Sequence, residues 1–434
     1  MIKTGKKCKA MEENEKPAYG PKQFTMRLLL ITNLYPPQEL GGYGRCMADF
    51  AWGLQQRGHK IQVLSSQASY LGPDSPGPSG EQVDRGLKLK GSFRDGVHPL
   101  QDLTSRNAID VDNRNFLVQW LQQGVWDGVL LGNLDLLGPE LLEPLLASEL
   151  PLLHHIGFVS PPYPPEQMPP KTSRYRVLSA SETVRHCLKQ SGMDVSDSFV
   201  IYPGARVDLF GAAKLRRPLP PTPNGTAGKP LRVCFAGLQM GSKGPHTLLE
   251  AVLQLKQRGV EVHAMLAGGA FQKDYVEQLH EFCRVHDLES RIDFLPQLNR
   301  QQLARFFQLQ HVCVFTSIYP EAFGIVAAEA MSSGLALVST GVGGASEVFE
   351  NEISGLSYPP GNSTALAAQL ERLARDPALL NRLQQAGEER VRTQFSVKES
   401  ARQLEKILQT EKKDTSPRPD NLHFDLEQIR QNND

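Results

Sequence analysis

Cysteine is scarce in this 434-residue chain: Cys8, Cys46, Cys187, Cys234, Cys283 and Cys313 stand far apart, with no CxxC pair. That spacing excludes a disulfide framework and a thiolate zinc site, and reads as the reduced thiols of a cytoplasmic protein. No run approaches the roughly 18 to 20 apolar residues of a membrane-spanning helix, and the polar first 25 residues carry no signal-peptide core. Neither sign of charge is in excess. Lys plus Arg number 47 and Asp plus Glu number 47, so no global field draws the chain to nucleic acid, and contact with the inner face of a membrane is left to a local patch. There is no DxD-like acidic pair and no histidine cluster suited to a metal. A Walker A loop is also missing, because Lys243 is followed by Gly244 and Pro245. Gly42, Gly44 and Met47 lack the third glycine of GxGxxG, and the second strand ends in Ser65 and Ser66 instead of an acid. Both gaps argue against a dinucleotide-dependent dehydrogenase.

What is present is alternation. At about 100 to 200 residues per domain the length predicts two domains. RLLLIT (27–32), a helical pattern with Met47, Phe50, Ala51 and Leu54 on one face, and IQVLSS (61–66) form a β-α-β unit. From 67 to about 115 the text is rich in Gly, Pro and Ser and predicts an irregular excursion. Order returns with a helix near 115–123, strands at 128–132, 151–156 and 174–180, and a Ser-capped helix at 181–192. RRPLPPTPNGTAGKP (216–230) holds five prolines without apolar periodicity, which marks a linker. Strands and single helices then alternate again. The expected organisation is a disordered extension (1–25), a first domain (26–215), a linker (216–229), a second domain (230–390) and a charged tail (411–434). Strands separated by single helices imply parallel sheets covered on both faces, hence an α/β chain of two doubly wound, Rossmann-like domains facing each other across a cleft.

Three loops in this frame could hold an anion. In YPEAFGIVAAEAMSSG (319–334), Gly324 allows a tight turn into a helix whose first N–H groups are unpaired. Glu329 follows five residues later, about 7.5 Å along the axis, close to the separation of a diphosphate from the ribose of the same nucleotide. A carboxylate can accept from both ribose hydroxyls, while Glu321, before the helix, faces the transferred sugar. Alone, this could be an ordinary helix-start carboxylate. FAGLQMGSKGPHTLLEAV (235–252) places Lys243 before a second helix start, and YPPQELGGYGR (35–45) places Gly41 and Gly42 before a third. Three helix ends of about +0.5 each plus Lys243 sum to roughly +2.5, against two negative charges on a nucleoside-diphosphate sugar, so no metal is required. His154 and His155 close a strand on alternate faces, and His155 is the one expected in the cleft. Base contacts are expected from the backbone near Pro296, Gln297 and Leu298, and acceptor contacts from 67–115 and 158–170.

Together these segments resemble the retaining glycosyltransferases of family 4, the group that includes sucrose synthases and bacterial mannosyltransferases. The likeness spans most of 26–408. It is most specific in YPEAFGIVAAEAMSSGLALVSTGVGGASEVFENEISGL, where E-x7-E precedes GG and Glu347, with support from SETVRHCLKQSG and IYPGARVDLF (201–210). The resemblance implies the GT-B architecture, with FSVKESARQLEKIL (395–408) crossing back so that a helix at about 391–410 completes the first domain. It further implies that Glu321 contacts the donor sugar and Glu329 the ribose. Lys243, the Phe323-Gly324 turn and the amides of Ile325 and Val326 would hold the diphosphate, with Gly41 and Gly42 against it, and His155 would lie near the reacting carbon. The implied reaction moves a hexose from a donor of the UDP-glucose or GDP-mannose type, with retention, to a hydroxyl acceptor that is a small molecule, a glycan or a lipid-linked group. No cofactor and no protein nucleophile are implied, so Glu321 and Glu329 are not a glycosidase pair. One departure stands out: Leu238 follows Gly237 where the family has Arg. A sugar-nucleotide epimerase and a non-catalytic nucleotide-sugar binder remain alternatives, Leu238 being the argument for the second.

Overall fold

The computed structural model describes residues 25–94, 96–171, 174–211 and 220–413. Nearly all of the expected amino-terminal extension, most of the charged tail and the first part of the linker lie outside these residues.

The first domain contains β1 (Arg27–Ile31), α1 (Tyr43–Gln56), β2 (Lys60–Ser66), β3 (Gln82–Leu87), the short antiparallel pair β4 (Gly91–Ser92) and β5 (His98–Pro99), α2 (Leu103–Gln123), β6 (Gly128–Leu131), α3 (Leu142–Ala147), β7 (Leu152–Ile156), β8 (Tyr175–Ser179), α4 (Glu182–Gln190) and β9 (Phe199–Val200), followed by α5 (Val207–Phe210), whose Phe210 is buried in a core of the second domain. The first domain's seven-stranded sheet runs β3-β2-β1-β6-β7-β8-β9, parallel at each pairing. The second domain contains β10 (Leu231–Ala236), α6 (Pro245–Gln257), β11 (Val262–Ala267), α7 (Lys273–Val285), β12 (Ile292–Leu295), α8 (Arg300–Phe307), β13 (Val312–Phe315), α9 (Ile325–Ser332), β14 (Ala336–Ser339), α10 (Ala345–Val348), β15 (Leu356–Ser357), α11 (Ser363–Arg375) and α12 (Pro377–Gln394). Its six strands run β12-β11-β10-β13-β14-β15, again parallel.

Each central strand is apolar throughout because both of its faces are covered: Leu28 to Ile31 and Val312 to Phe315 are all buried. Alternate side chains feed two cores per sheet. Leu29 and Ile31 join Leu64, Val129 and Trp126 on one side, and Leu28 and Leu30 join Met47, Phe50 and Leu404 on the other. Leu404 belongs to α13 (Val397–Lys413), the last helix, which packs on α1. The approach is close at Gly53, where an added Cβ would come within 2.6 Å of the Ala401 Cβ. Arg57, the C-cap of α1, also pairs with Glu405 of α13.

The expected irregular excursion at 67–115 is more ordered than its composition indicates. It holds β3 beside β2 and the first turns of α2, whose Asp102 cap accepts from the Ser105 amide at 2.9 Å. In α2 only Asn113 and Leu117 are buried, so no apolar stripe marks this helix in the sequence. The helix expected near 115–123 is its second half.

Candidate active site

In each sheet the chain order reverses at the centre, between β1 and β6 and between β10 and β13. The crevice beyond the carboxyl ends of such strands is where open α/β sheets bind ligands. α1 follows β1, α6 follows β10 and α9 follows β13, so three helix N-termini emerge at these two crevices. Each has a glycine at its N-cap, Gly42, Gly244 or Gly324, and none has a side-chain cap. By contrast α4, α8 and α11 are capped by Ser181, Asn299 and Asn362. The glycine-capped ends of α1 and α9 therefore offer N–H groups to a ligand, whereas at α6 Pro245 has no N–H and the amides of His246 and Thr247 donate to the Tyr275 hydroxyl (3.4 Å) and the Gly244 carbonyl (3.0 Å). Residues of all three loops line one cavity of about 460 Å³ between the domains, among them Gly41, Gly42, Lys243, Gly324 and Glu329. The domains touch closely here, since a Cβ on Gly42 would lie 3.3 Å from the Ile325 Cδ1.

Lys243 and Glu321 reach this cavity from opposite sides of the β10/β13 crevice. The Lys243 Nζ donates to the Glu321 Oε1 at 2.5 Å, and the Ser317 hydroxyl donates to the same oxygen. The Lys243 loop is tied to the loop after β13 by Thr316 Oγ1 to the Lys243 carbonyl (2.5 Å) and by the Ile318 amide to the Ser242 carbonyl (2.9 Å). Gly244 is left-handed (φ 64°), and a Cβ there would meet the Thr316 carbonyl at 2.5 Å. Glu321 is held by its backbone, which bonds the 342–344 loop through its amide to Val342 (3.2 Å) and its carbonyl from Gly344 (2.7 Å). The pair Gly343-Gly344 leaves no room for side chains, as added Cβ atoms would come within 2.4 Å of the Glu321 carbonyl and 2.1 Å of the Ala322 carbonyl.

Glu329 is wholly buried. The residue lines the cavity, its Oε1 accepts from Arg300 Nη2 at 2.7 Å, and its buried Oε2 has no protein partner. Burial raises its pKa, with Arg300 and Arg45 opposing the rise. Arg300 also donates through Nη1 to the buried carboxylate of Asp49, so one guanidinium joins α1 of the first domain to α9 of the second. Neither Arg300 nor Asp49 was expected. The available signals were a cation at the first position of a helix, where the macrodipole favours acids, and an acid inside the apolar run CMADFAWGL (46–54). Glu347 makes a second inter-domain contact. Its carboxylate accepts from the amides of Glu182 (3.0 Å) and Thr183 (2.8 Å) and from the Tyr202 hydroxyl (3.0 Å), closing the N-terminus of α4.

Other expected residues fall in different places. Gln297, Leu298, Phe323, Ile325 and Val326 line the cavity, as does Leu238 at the position of the missing Arg. The Phe323 ring also packs against Tyr202 and Phe395. His155 departs from expectation. Its ring is fully buried against Phe50, its Nε2 meets the Ile201 carbonyl at 3.0 Å and its Nδ1 the Tyr43 hydroxyl at 3.1 Å. Both nitrogens are thus engaged, and strand alternation turns the ring toward α1, so that it does not line this larger cavity. The ring supports Tyr43, which lines the cavity in its place. His154 points to the opposite face and meets the Tyr175 hydroxyl at 2.7 Å. Among the described residues no three His, Cys, Asp or Glu side chains converge as a metal site, and no helix is long and apolar enough to cross a membrane.

Residues 221–390 match the family model described as glycosyl transferases group 1. Over 218 residues the chain is 32% identical to a D-inositol 3-phosphate glycosyltransferase of Streptomyces bingchenggensis, covering 47% of this chain and 45% of that protein. The chain thus spans about half or less of that relative and of two others, from Methanocaldococcus jannaschii (36%) and Bacillus subtilis (51%). A longer match is to a glycogen synthase of Mycobacterium tuberculosis, 24% identical, covering 85% of this chain and 91% of the other. Among solved structures, a glycosyltransferase from Rickettsia africae superposes with a TM-score of 0.71 at 17% identity, over 90% of this chain and 100% of that one. Anabaena HepE in complex with UDP-glucose gives 0.66 at 21%, over 89% and 100%. These likenesses assign the two facing parallel sheets to the GT-B fold. The stretch 221–390, which forms most of the second domain, is the part of the chain that resembles the glycosyl transferases group 1.

Proposed function

We propose that the chain transfers a hexose from a nucleoside-diphosphate sugar to a hydroxyl acceptor, with retention of configuration and without a metal, as in family 4. The observation that carries this reading is the convergence of three uncapped helix N-termini, the Lys243 ammonium and the buried Glu329 carboxylate on one inter-domain cavity. The amide poles and the ammonium supply roughly +2.5 of charge for a diphosphate. The partnerless Oε2 of Glu329 offers an acceptor to a ribose hydroxyl, and Arg300 opposes the rise in pKa that burial causes. Lys243 has three N–H donors, so it can hold Glu321 and a phosphate oxygen together. Glu321 then stands beside the transferred sugar. Catalysis in this scheme rests on stabilising the leaving diphosphate and on orientation.

The donor is of the UDP-glucose or GDP-mannose type, a choice consistent with HepE having been solved with UDP-glucose. Leu238 favours the second reading, a binder without transfer, because it removes one cation from the phosphate pocket. Incubation with labelled UDP- and GDP-sugars separates the readings. Transfer or slow donor hydrolysis supports the transferase, binding without turnover supports the binder, and an isomerised donor supports an epimerase.

A further inference from the structure

A second cavity of about 200 Å³ opens beside the first, at the other crevice, beyond the carboxyl ends of β6 and β7. Its volume is roughly that of six or seven waters, which a single sugar ring would displace. It shares Gly157 and Phe158 with the larger cavity. The partition between them is the Tyr43 ring, which lies so close to Gly157 that a Cβ there would fall within 2.1 Å of it. A ligand here would therefore sit next to anything bound in the larger cavity.

The wall is anionic and aromatic. Asp135 follows β6 and is open to solvent, and its Oδ2 accepts from the Asn133 amide at 3.2 Å. No cation among the described residues forms an ion pair with it, and none of the other lining residues is a lysine or arginine. The two histidines in the wall stay neutral, burial pushing His154 down to about 3 and His155 to about 4. Surrounding protein raises the Asp135 pKa through desolvation, and only Asn133 opposes that. Phe158 leaves 42% of its surface exposed at the mouth, stacked on Tyr43 at 6.1 Å. A carboxylate with free lone pairs accepts from hydroxyl groups, and an exposed ring covers the apolar face of a pyranose. The same carboxylate repels a phosphate, and no lysine or arginine lines the cavity to offset it.

We propose that this second cavity is the acceptor subsite, that Asp135 and Phe158 hold a neutral sugar ring there, and that phosphorylated sugars are excluded. The inference rests on the transferase reading, whose larger cavity supplies the donor. It separates this chain from its relative named for inositol 3-phosphate, an anionic acceptor by name.

The test is saturation-transfer NMR on the full chain with saturating UDP, using glucose, galactose, mannose and N-acetylglucosamine against glucose 6-phosphate and mannose 6-phosphate. At least one neutral sugar is expected to bind about tenfold or more tightly than either phosphate, and Asp135→Asn to weaken it by about tenfold. Asp135→Lys should reverse the order, and Phe158→Ala should weaken the neutral sugar without admitting the phosphates. Phosphates that bind as well as neutral sugars, no neutral sugar binding, or an unchanged affinity in Asp135→Asn would each overturn the proposal. The thermal shift produced by UDP alone is read in parallel: its absence removes the donor site and the transferase reading, whereas its presence with the wrong acceptor order removes this inference alone.

Discussion

The Lys243 ammonium lies 2.5 Å from the Glu321 carboxylate, and the two come from loops on either side of the central crevice of the second sheet. The pair ties a group assigned to the diphosphate to one assigned to the sugar. Removing the cation should weaken nucleotide binding, and removing the acid should chiefly slow turnover. Lys243→Ala is expected to raise the Kd for the nucleoside diphosphate about ten- to a hundredfold, the range for losing a charge-assisted hydrogen bond. Glu321→Ala should retain that affinity while lowering kcat. Calorimetry with the diphosphate and an initial-rate assay separate the two, and full transfer by Glu321→Ala would remove its assigned role.

Arg300 satisfies two buried acids from different domains. Arg300→Ala leaves Asp49 and Glu329 buried without their shared cation and should cost about 3 to 5 kcal/mol in unfolding free energy. Arg300→Ala combined with Asp49→Asn should cost less than the sum of the two single changes, because the partners are coupled. Urea unfolding followed by fluorescence checks both, and additivity would contradict the shared guanidinium.

Gly244 is needed for two reasons, its φ of 64° and the nearby Thr316 carbonyl. Gly244→Ala should cost about 1 to 3 kcal/mol from the backbone strain alone, and more from the clash. It should also displace Lys243 and weaken nucleotide binding. Gly228→Ala, where an added Cβ meets nothing within 4 Å, is the control and should leave nucleotide affinity unchanged.

The pH dependence follows from His154 and His155. Both folded pKa values, about 3 and about 4, lie below the ordinary 6.5, so the unfolded chain binds more protons below about pH 6.5. Their stabilising contribution is complete above that pH and is lost as the pH falls toward the folded values. The expected slope approaches roughly 1.4 kcal/mol per pH unit for each ring. Urea midpoints at pH 7.0, 6.3 and 5.5 measure it. His155→Gln should flatten the slope, and an unchanged slope would show that the ring is not buried in its neutral form.

The architecture could be read from the sequence because parallel strands buried on both faces leave continuous apolar runs such as RLLLI and VCVF, each followed by a glycine-marked turn. The places of Lys243, Gly324 and Glu329 at the cavity were legible too, because each is set by its offset from a helix start. Residues defined by the meeting of distant segments were not. Arg300 matters because α1 brings Asp49 to it, 251 positions away, and the first half of α2 stayed hidden because α2 buries only Asn113 and Leu117. His155 shows the limit of alternation, which says that two neighbours face apart but not which face is the cleft.

Isothermal titration of UDP-glucose and GDP-mannose into the chain, repeated with Glu329→Gln, tests the central claim most directly. One donor should bind with one-to-one stoichiometry, and the variant should bind it at least about tenfold more weakly through loss of the acceptor for the ribose hydroxyls. Failure of both donors to bind, or equal affinity in the variant, would contradict a nucleotide-sugar site built on that carboxylate.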